Sequence, residues 1–254
     1  MLGAIYGDKA GSIYEFNQIK NIKSINPDKL ILKNSFYSDD TIETIAVLDA
    51  IINNKDYEQT LREYILKNID YKPDHEPYFK TSFSPGTIKW AQKTGRSDSI
   101  GNGAMMRISP VGYLFNTEKE VIENAKLVTM TSHNSEEAIK SATTIALLIY
   151  YFRNNLSKEE VFNKLKLLVK YEPFTRFNIT CKETLGNCLY AIYHSTSFED
   201  SIRKTLLMGA DTDTNCAIVG SVTEALYKMN KTEKNDAISN LPNEYVKLLK
   251  KAYK

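Results

Sequence analysis

From residue 40 onward the apolar residues of this chain recur three and four positions apart, the spacing that lines one face of an α-helix. Ile42, Ile45, Leu48 and Ile52 form one stripe, and Ala138, Ile139, Ala142, Ile145, Ala146 and Ile149 a second. Val161, Phe162, Leu165 and Leu168 form a third. The second is entered through Asn134, with Glu137 three residues on, a capping-box pattern. Further helices are expected at about 57–68, 118–131, 181–194, 199–208, 214–229 and 243–252. Strand-like alternation is confined to a few residues near Leu30 to Leu32. The expected fold class is therefore all-α, a helical bundle. With no internal repeat and no shift in composition, residues 1–254 read as a single domain. Two stretches, 11–38 and 70–103, break the pattern and carry Pro27, Pro73, Pro77, Pro85, Gly86, Gly95, Gly101 and Gly103. Long irregular segments in a compact domain are more often functional loops than accidents.

Composition excludes several classes. Hydrophobic residues at 42% and charged residues at 25% are ordinary globular usage, which argues against disorder. A formal net charge of +2 gives no general pull toward nucleic acid or an anionic membrane, so direct nucleic-acid binding is not expected. No apolar run approaches the ~20 residues needed to cross a bilayer. The apolar stretch Leu2 to Tyr6 lacks a basic leader and is too short for a signal-peptide core. Cys181, Cys188 and Cys216 lack metal-site spacing and read as reduced core thiols, from which a cytoplasmic location is expected.

Two acidic clusters sit where a loop enters a helix. One is Ser38-Asp39-Asp40-Thr41; the other is Gly209-Ala210-Asp211-Thr212-Asp213-Thr214. The helix after the second carries Ala217, Gly220, Ser221 and Ala225, small enough to let a neighbour approach closely. Taken singly, either cluster reads equally well as a helix cap, and Asp40 with Glu43 is itself a capping-box signature. Together, four carboxylates with Ser and Thr hydroxyls offer hard oxygen donors in the number a Mg2+ pair requires. Brought together without a cation they would repel, so a metal is the natural compensation.

Three further segments carry polar chemistry. Gly3 to Glu15 has glycines that suggest tight backbone geometry near a helix end. Glu15 leads into the first irregular stretch, where a carboxylate could swing over a site or simply be solvated. Ser99-Ile100-Gly101-Asn102-Gly103 opens a helix with a glycine turn whose backbone N–H groups suit a diphosphate. His133, in Thr131-Ser132-His133-Asn134, stands at another helix entrance, whereas His75 and His194 have no such setting. A lone histidine is more often structural than functional.

In this order, the segments GDKAGSIYE at 7–15, SDDT at 38–41, SIGNGAMMRISP at 99–110, TSH at 131–133 and GADTDTNCAIVGSVTEALY at 209–227 resemble the ADP-ribosylglycohydrolase family. The resemblance implies an all-α orthogonal bundle holding two Mg2+ ions, with Mn2+ able to replace them. It places metal ligation on Ser38, Asp39, Asp40, Asp211, Asp213 and Thr214. Contacts to ADP-ribose fall on Ser99, Gly101, Asn102, Gly103 and His133. Glu15 becomes a mobile acid/base or gate, acting with Asp39 and Asp40 in catalysis. The implied reaction is hydrolysis of the glycosidic bond at the distal ribose of an ADP-ribosylated protein or ADP-ribose-containing small molecule. Lys9 departs from the small or apolar residue often found there. Ser99 replaces an acid found in some members that act on arginine adducts, with Asp98 beside it.

Three other classes share part of this pattern. Asp39-Asp40-Thr41-Ile42-Glu43 satisfies the Asp-Asp-x-x-Glu pattern of magnesium-dependent prenyl diphosphate enzymes, but the second cluster and Gly-Asn-Gly do not fit them. Haloacid-dehalogenase phosphatases need Asp-x-Asp-x-Thr after a strand, and here Asn215 replaces the threonine. A catalytically inactive ADP-ribose-binding module would keep the fold and lose the chemistry.

Overall fold

The computed structural model describes residues 1–15, 29–72, 81–167, 173 and 176–253. Among them the chain is helical: α1 (Leu2–Gly11), α2 (Asp39–Ile52), α3 (Tyr57–Lys67), α4 (Pro85–Ala91), α5 (Gly103–Met106), α6 (Ser109–Leu114), α7 (Glu118–Met130), α8 (Glu136–Arg153), α9 (Lys158–Lys164), α10 (Cys181–His194), α11 (Phe198–Met208), α12 (Thr212–Tyr227), α13 (Lys231–Ile238) and α14 (Asn243–Ala252). A 3₁₀ turn, Ser12–Tyr14, extends α1. The only extended pairing in the described residues is two isolated bridges, Asp98 with His133 and Gly101 with Thr180. Leu30 to Leu32 forms a bend rather than a strand. Pro27, Pro73, His75, Pro77 and Leu168 lie outside the described residues.

The helix at the centre is α12, buried without a break from Thr212 to Glu224 and packed on α1, α8, α10 and α11. Its principal partner is α1, in which all ten residues are buried. That helix was not expected from the sequence. Glycine is unfavourable inside a helix, and Leu2–Gly11 shows no polar face to mark it as amphipathic. Its glycines serve close approach instead. A Cβ on Gly3 would strike the carbonyl of Gly220, on Gly7 that of Cys216, and on Gly11 that of Thr212. The three pairs step down α12 as they step up α1, so the helices run antiparallel with backbones touching. This register brings the last turn of α1 against the first turn of α12.

Caps set the other boundaries. Thr117 with Glu120, Ser157 with Glu160 and Asn230 with Glu233 form reciprocal capping boxes at α7, α9 and α13. Ser135, not Asn134, caps α8 by accepting the Ala138 N–H, so the box expected from Asn134 and Glu137 is one residue out of register. Glu137 accepts from the Lys182 N–H of α10 instead. Lys9 is buried on α1, and its ammonium donates to the carbonyls of Asp236 and Ser239 and to Ser239 Oγ, tying down the end of α13. All three cysteines are free and buried, as the core-thiol reading expects. No helix among the described residues is long and apolar enough to cross a membrane.

Candidate active site

Both acidic clusters sit at helix N-termini, where the aligned peptide dipoles favour negative charge. Ser38 caps α2 by accepting the Asp40 N–H at 3.2 Å, and its hydroxyl donates to Asp40 Oδ2 at 3.2 Å. This replaces the Asp40–Glu43 capping box. Ahead of α12, Gly209 (φ 67°) and Ala210 (φ 60°) make a left-handed turn that delivers Asp211 as the cap and Asp213 into the first turn. A non-glycine residue there costs roughly 1–2 kcal/mol. Such strain persists only where surrounding structure over-determines it.

The two clusters meet. Thr214 Oγ1 donates to Asp40 Oδ2 at 3.2 Å, joining α12 to α2. Asp8, in the last turn of α1, joins from the third side. Its Oδ2 accepts from the Ser38 N–H at 2.9 Å, the Thr41 N–H at 3.1 Å and Thr41 Oγ1 at 2.5 Å. Carboxylate oxygens of Asp8, Asp40 and Asp213 lie within 4.8 Å of one another, as do those of Glu15, Asp211 and Asp213. Asp213 belongs to both groups. Asp8, Asp40 and Asp213 each keep one buried oxygen without a hydrogen-bond partner. Buried acceptors are normally satisfied, so three orphaned oxygens in one place are what a hard cation would complete. Asp8 was not among the expected ligands; its sequence signal is its place in the GDKAGSIYE segment, in a helix otherwise made mostly of small and apolar residues.

Electrostatics point the same way. Burial is the first cause of an upward pKa shift at Asp8, Glu15, Asp39, Asp40, Asp211 and Asp213. Neighbouring carboxylates add to it at Glu15, Asp39, Asp40 and Asp213. Asp8 rises from 3.8 to about 6, and Glu15 from 4.5 to about 9. The metal-free folded chain therefore binds more protons than the unfolded chain above the ordinary carboxylate range. Stability from these groups is complete below about pH 4 and is lost as pH rises through the folded values, toward pH 9. With a chelator present, the melting temperature should carry a downward contribution from this cluster between about pH 5 and 8. Mg2+ should flatten that slope. Parallel slopes with and without Mg2+ in thermal melts would argue against cation binding here.

The cage floors a cavity of about 760 Å³ that is also lined by Trp90, Arg96, Asp98, Phe177 and Ile179. Glu15, Asp39, Asp40, Asp211, Asp213 and Thr214 face it, as do Ser99, Gly101, Asn102, Gly103 and His133. Ser38 and Asp8 stand behind the floor. Half-buried Asp39 is held by Ser82, whose hydroxyl accepts the Asp39 N–H at 2.6 Å and donates to Oδ1 at 3.2 Å. The glycine turn differs from an open anion cradle. The N–H groups of Ser99, Gly101 and Asn102 already bond to Ser132 O, Ser99 Oγ and Ile179 O. Asn102 turns its amide inward, donating to Asp211 Oδ2 at 2.7 Å. The segment is pinned between the His133 turn and the start of α10, and Asn102 holds a cage carboxylate in place.

In the cavity wall, Arg107 and Glu43 form a buried ion pair at 2.6 Å that sequence spacing did not reveal. Glu43→Ala strands the guanidinium charge, and equilibrium unfolding in urea should show a loss of ~3–5 kcal/mol. A change under ~1 kcal/mol would mean the pair is not desolvated as drawn.

Comparison with known proteins matches this architecture to one family. The family model described as ADP-ribosylglycohydrolase covers residues 1–252. An uncharacterized protein of Archaeoglobus fulgidus is 22% identical over 89% of this chain and 85% of its own length. ADP-ribosylarginine hydrolase Tri1 of Pseudomonas putida is 24% identical, over 58% of this chain and 42% of its own. ADP-ribosylhydrolase ARH3 of Xenopus tropicalis is 23% identical, over 65% of this chain and 53% of its own. The matches to these two named relatives thus span about half their length. A solved structure titled ADP-ribosylglycohydrolase-related protein complex superposes with a TM-score of 0.71 at 18% identity, covering 99% of this chain and 96% of that one, which shows a shared all-α fold. With its carboxylate cage built from three helix ends, the chain belongs to the ADP-ribosylglycohydrolase family of glycosidic-bond hydrolases.

Proposed function

We propose that this chain hydrolyses the glycosidic bond at the distal ribose of an ADP-ribosyl adduct and releases ADP-ribose. The observation that carries the reading is the convergence of Asp8, Asp40 and Asp213, and of Glu15, Asp211 and Asp213, beneath one deep cavity. The orphaned oxygens and upward-shifted carboxyls fit two Mg2+ ions, or Mn2+, held by Asp8, Asp39, Asp40, Asp211, Asp213 and Thr214. Ser38 would contribute by turning its hydroxyl from Asp40. When bound, such ions supply Lewis acidity and a more acidic water at neutral pH.

The chain's own residues do the rest. Carboxylates around the anomeric carbon would stabilise the oxocarbenium character of the transition state. Glu15, which follows the 3₁₀ turn and lines the cavity, would hand a proton to the leaving group or gate the cavity. Ser99, Gly101, Gly103 and His133 would hold the nucleotide half, with Asn102 acting through Asp211. At the rim Asp98 meets Arg96 at 2.5 Å in a solvent-exposed pair, beside the Ser99 that stands where some members acting on arginine adducts carry an acid. On this reading the substrates are ADP-ribosylated proteins or small ADP-ribose conjugates. The buried free thiols support action in a reducing compartment, the cytoplasm.

The test is a panel of defined ADP-ribosyl adducts incubated with the chain and Mg2+, scored by mass spectrometry. Release of ADP-ribose from at least one, abolished by a chelator, is expected. Calorimetric binding of ADP-ribose with no release from any adduct would instead identify an inactive binding module.

A further inference from the structure

His133 sits at the back of the cavity with its two ring nitrogens in different surroundings. Nδ1 lies 2.7 Å from Ser132 Oγ and 3.5 Å from Arg107 Nη2. Arg107 Nη2 also donates to Ser132 Oγ at 2.6 Å. The guanidinium can only donate, so the serine oxygen accepts from it, leaving the serine hydroxyl proton for Nδ1. Both groups facing Nδ1 are thus donors, and a proton on Nδ1 would oppose them. Glu43 fixes the guanidinium from the far side through Nη1, at 2.6 Å. All three supporting side chains, Glu43, Arg107 and Ser132, are buried.

The opposite edge of the ring is left open. A Cβ on Gly103 would lie 3.4 Å from Nε2, and one on Gly101 would lie 3.6 Å from it. The two missing side chains leave Nε2 toward the cavity that His133 lines, and the hydrogen bonds of the ring among the described residues are both at Nδ1.

We infer that Glu43, Arg107 and Ser132 form a positioning relay that fixes His133 in the tautomer carrying its proton on Nε2, making it a hydrogen-bond donor to an oxygen acceptor of the bound ligand. The acceptor's identity, a diphosphate or ribose oxygen, rests on the proposed function; the tautomer does not. Such fixing of one ring nitrogen by the bond made at the other is a general device for setting what a histidine presents. Burial, followed by the charge of Arg107, opposes protonation of the ring. Glu43 is paired with Arg107, and the other carboxylates that share the cavity with the ring are Asp98, which meets Arg96 at the rim, and the cage acids Glu15, Asp39, Asp40, Asp211 and Asp213. A ring that stays uncharged keeps Nδ1 as an acceptor and Nε2–H as the only polar hydrogen it can offer.

The relay is read most directly from long-range proton–nitrogen NMR of the His133 ring in the full-length, ligand-free chain. The expected pattern is a single species protonated at Nε2, unchanged on acidification to about pH 5.5. Ser132→Ala removes the hydroxyl donor and should let the Nδ1-protonated form appear. Affinity for ADP-ribose should then fall about 3- to 10-fold, the worth of one hydrogen bond. Arg107→Met should move the ring's titration up toward the ordinary value near 6.5. If that variant fails to fold, Ser132→Ala decides. A wild-type ring protonated at Nδ1, or an imidazolium at neutral pH, overturns the relay. So does Ser132→Ala with unchanged tautomer and unchanged affinity. A wild-type ring in the expected tautomer in a chain that releases no ADP-ribose would sustain the relay while removing the proposed activity.

Discussion

Asp213→Asn should reduce release of ADP-ribose by at least ~10³-fold, more than the 10- to 100-fold typical of losing a group that only supports a ligand. In a chelator it should melt no lower than the wild type. Asp213 is the carboxylate common to both acidic groups, so its loss removes a donor from each proposed cation position at once. Asparagine keeps the shape and withdraws the charge. Burial, then Glu15, Asp211, Asp40 and Asp8, push the Asp213 carboxyl well above its ordinary range, so an uncharged amide suits the metal-free pocket at least as well. The signature is a split between the two readouts. Wild-type protein should gain about 2.7 kcal/mol from a ligand at a hundred times its Kd, and the variant should gain nothing at the same Mg2+ concentration. A variant that still gains stability from Mg2+, or still turns over, would place the cation elsewhere.

The second large effect is expected far from any ligand. Gly7→Ala adds one methyl group in direct collision with the Cys216 carbonyl, a backbone atom of α12 that has no rotamer to yield. Ordinary overpacking costs ~1–3 kcal/mol because side chains can shift, and a backbone clash leaves only helix displacement. A loss of several kcal/mol is expected, a large share of the ~5–15 kcal/mol by which typical domains are stable. Denaturant titration followed by circular dichroism measures it. The displaced helix carries Asp8, so whatever folded protein remains should bind Mg2+ more weakly. Wild-type stability in Gly7→Ala would mean α1 and α12 do not touch along this stripe.

These two predictions mark where sequence and structure part. Helices α2, α8 and α12 were legible because their apolar residues repeat at helical spacing and their entrances carry Ser, Thr and Asp. The meeting of residues 38–40 with 211–214 is expected from the need of clustered carboxylates for a counter-charge together with the family resemblance of the motifs in their chain order. Helix α1 was not legible. Its glycines lower helix propensity, and their purpose appears only when Gly220, Cys216 and Thr212 are seen across from them. Asp8 was hidden for the same reason, because its partners Ser38 and Thr41 lie thirty residues or more away. Glu43 looked like a capping residue, and only the fold shows it paired with Arg107. The glycine turn suggests an anion cradle from its sequence, but the N–H groups of Ser99, Gly101 and Asn102 are spent on Ser132 O, Ser99 Oγ and Ile179 O, and the Asn102 amide faces a cage carboxylate. Local pattern reveals elements and caps, whereas pairings across the chain emerge only from packing.

On the proposed function, three helix ends carrying Asp8, Asp40 and Asp213 enclose a divalent cation. Crystals grown with Mn2+ and measured for anomalous scattering test this without reference to any substrate. A strong peak is expected within carboxylate bonding distance of Asp213 and its neighbours, absent from crystals of Asp213→Asn. Density for Mn2+ only at surface acids, with the Asp8–Asp40–Asp213 pocket empty at saturating metal, would contradict it.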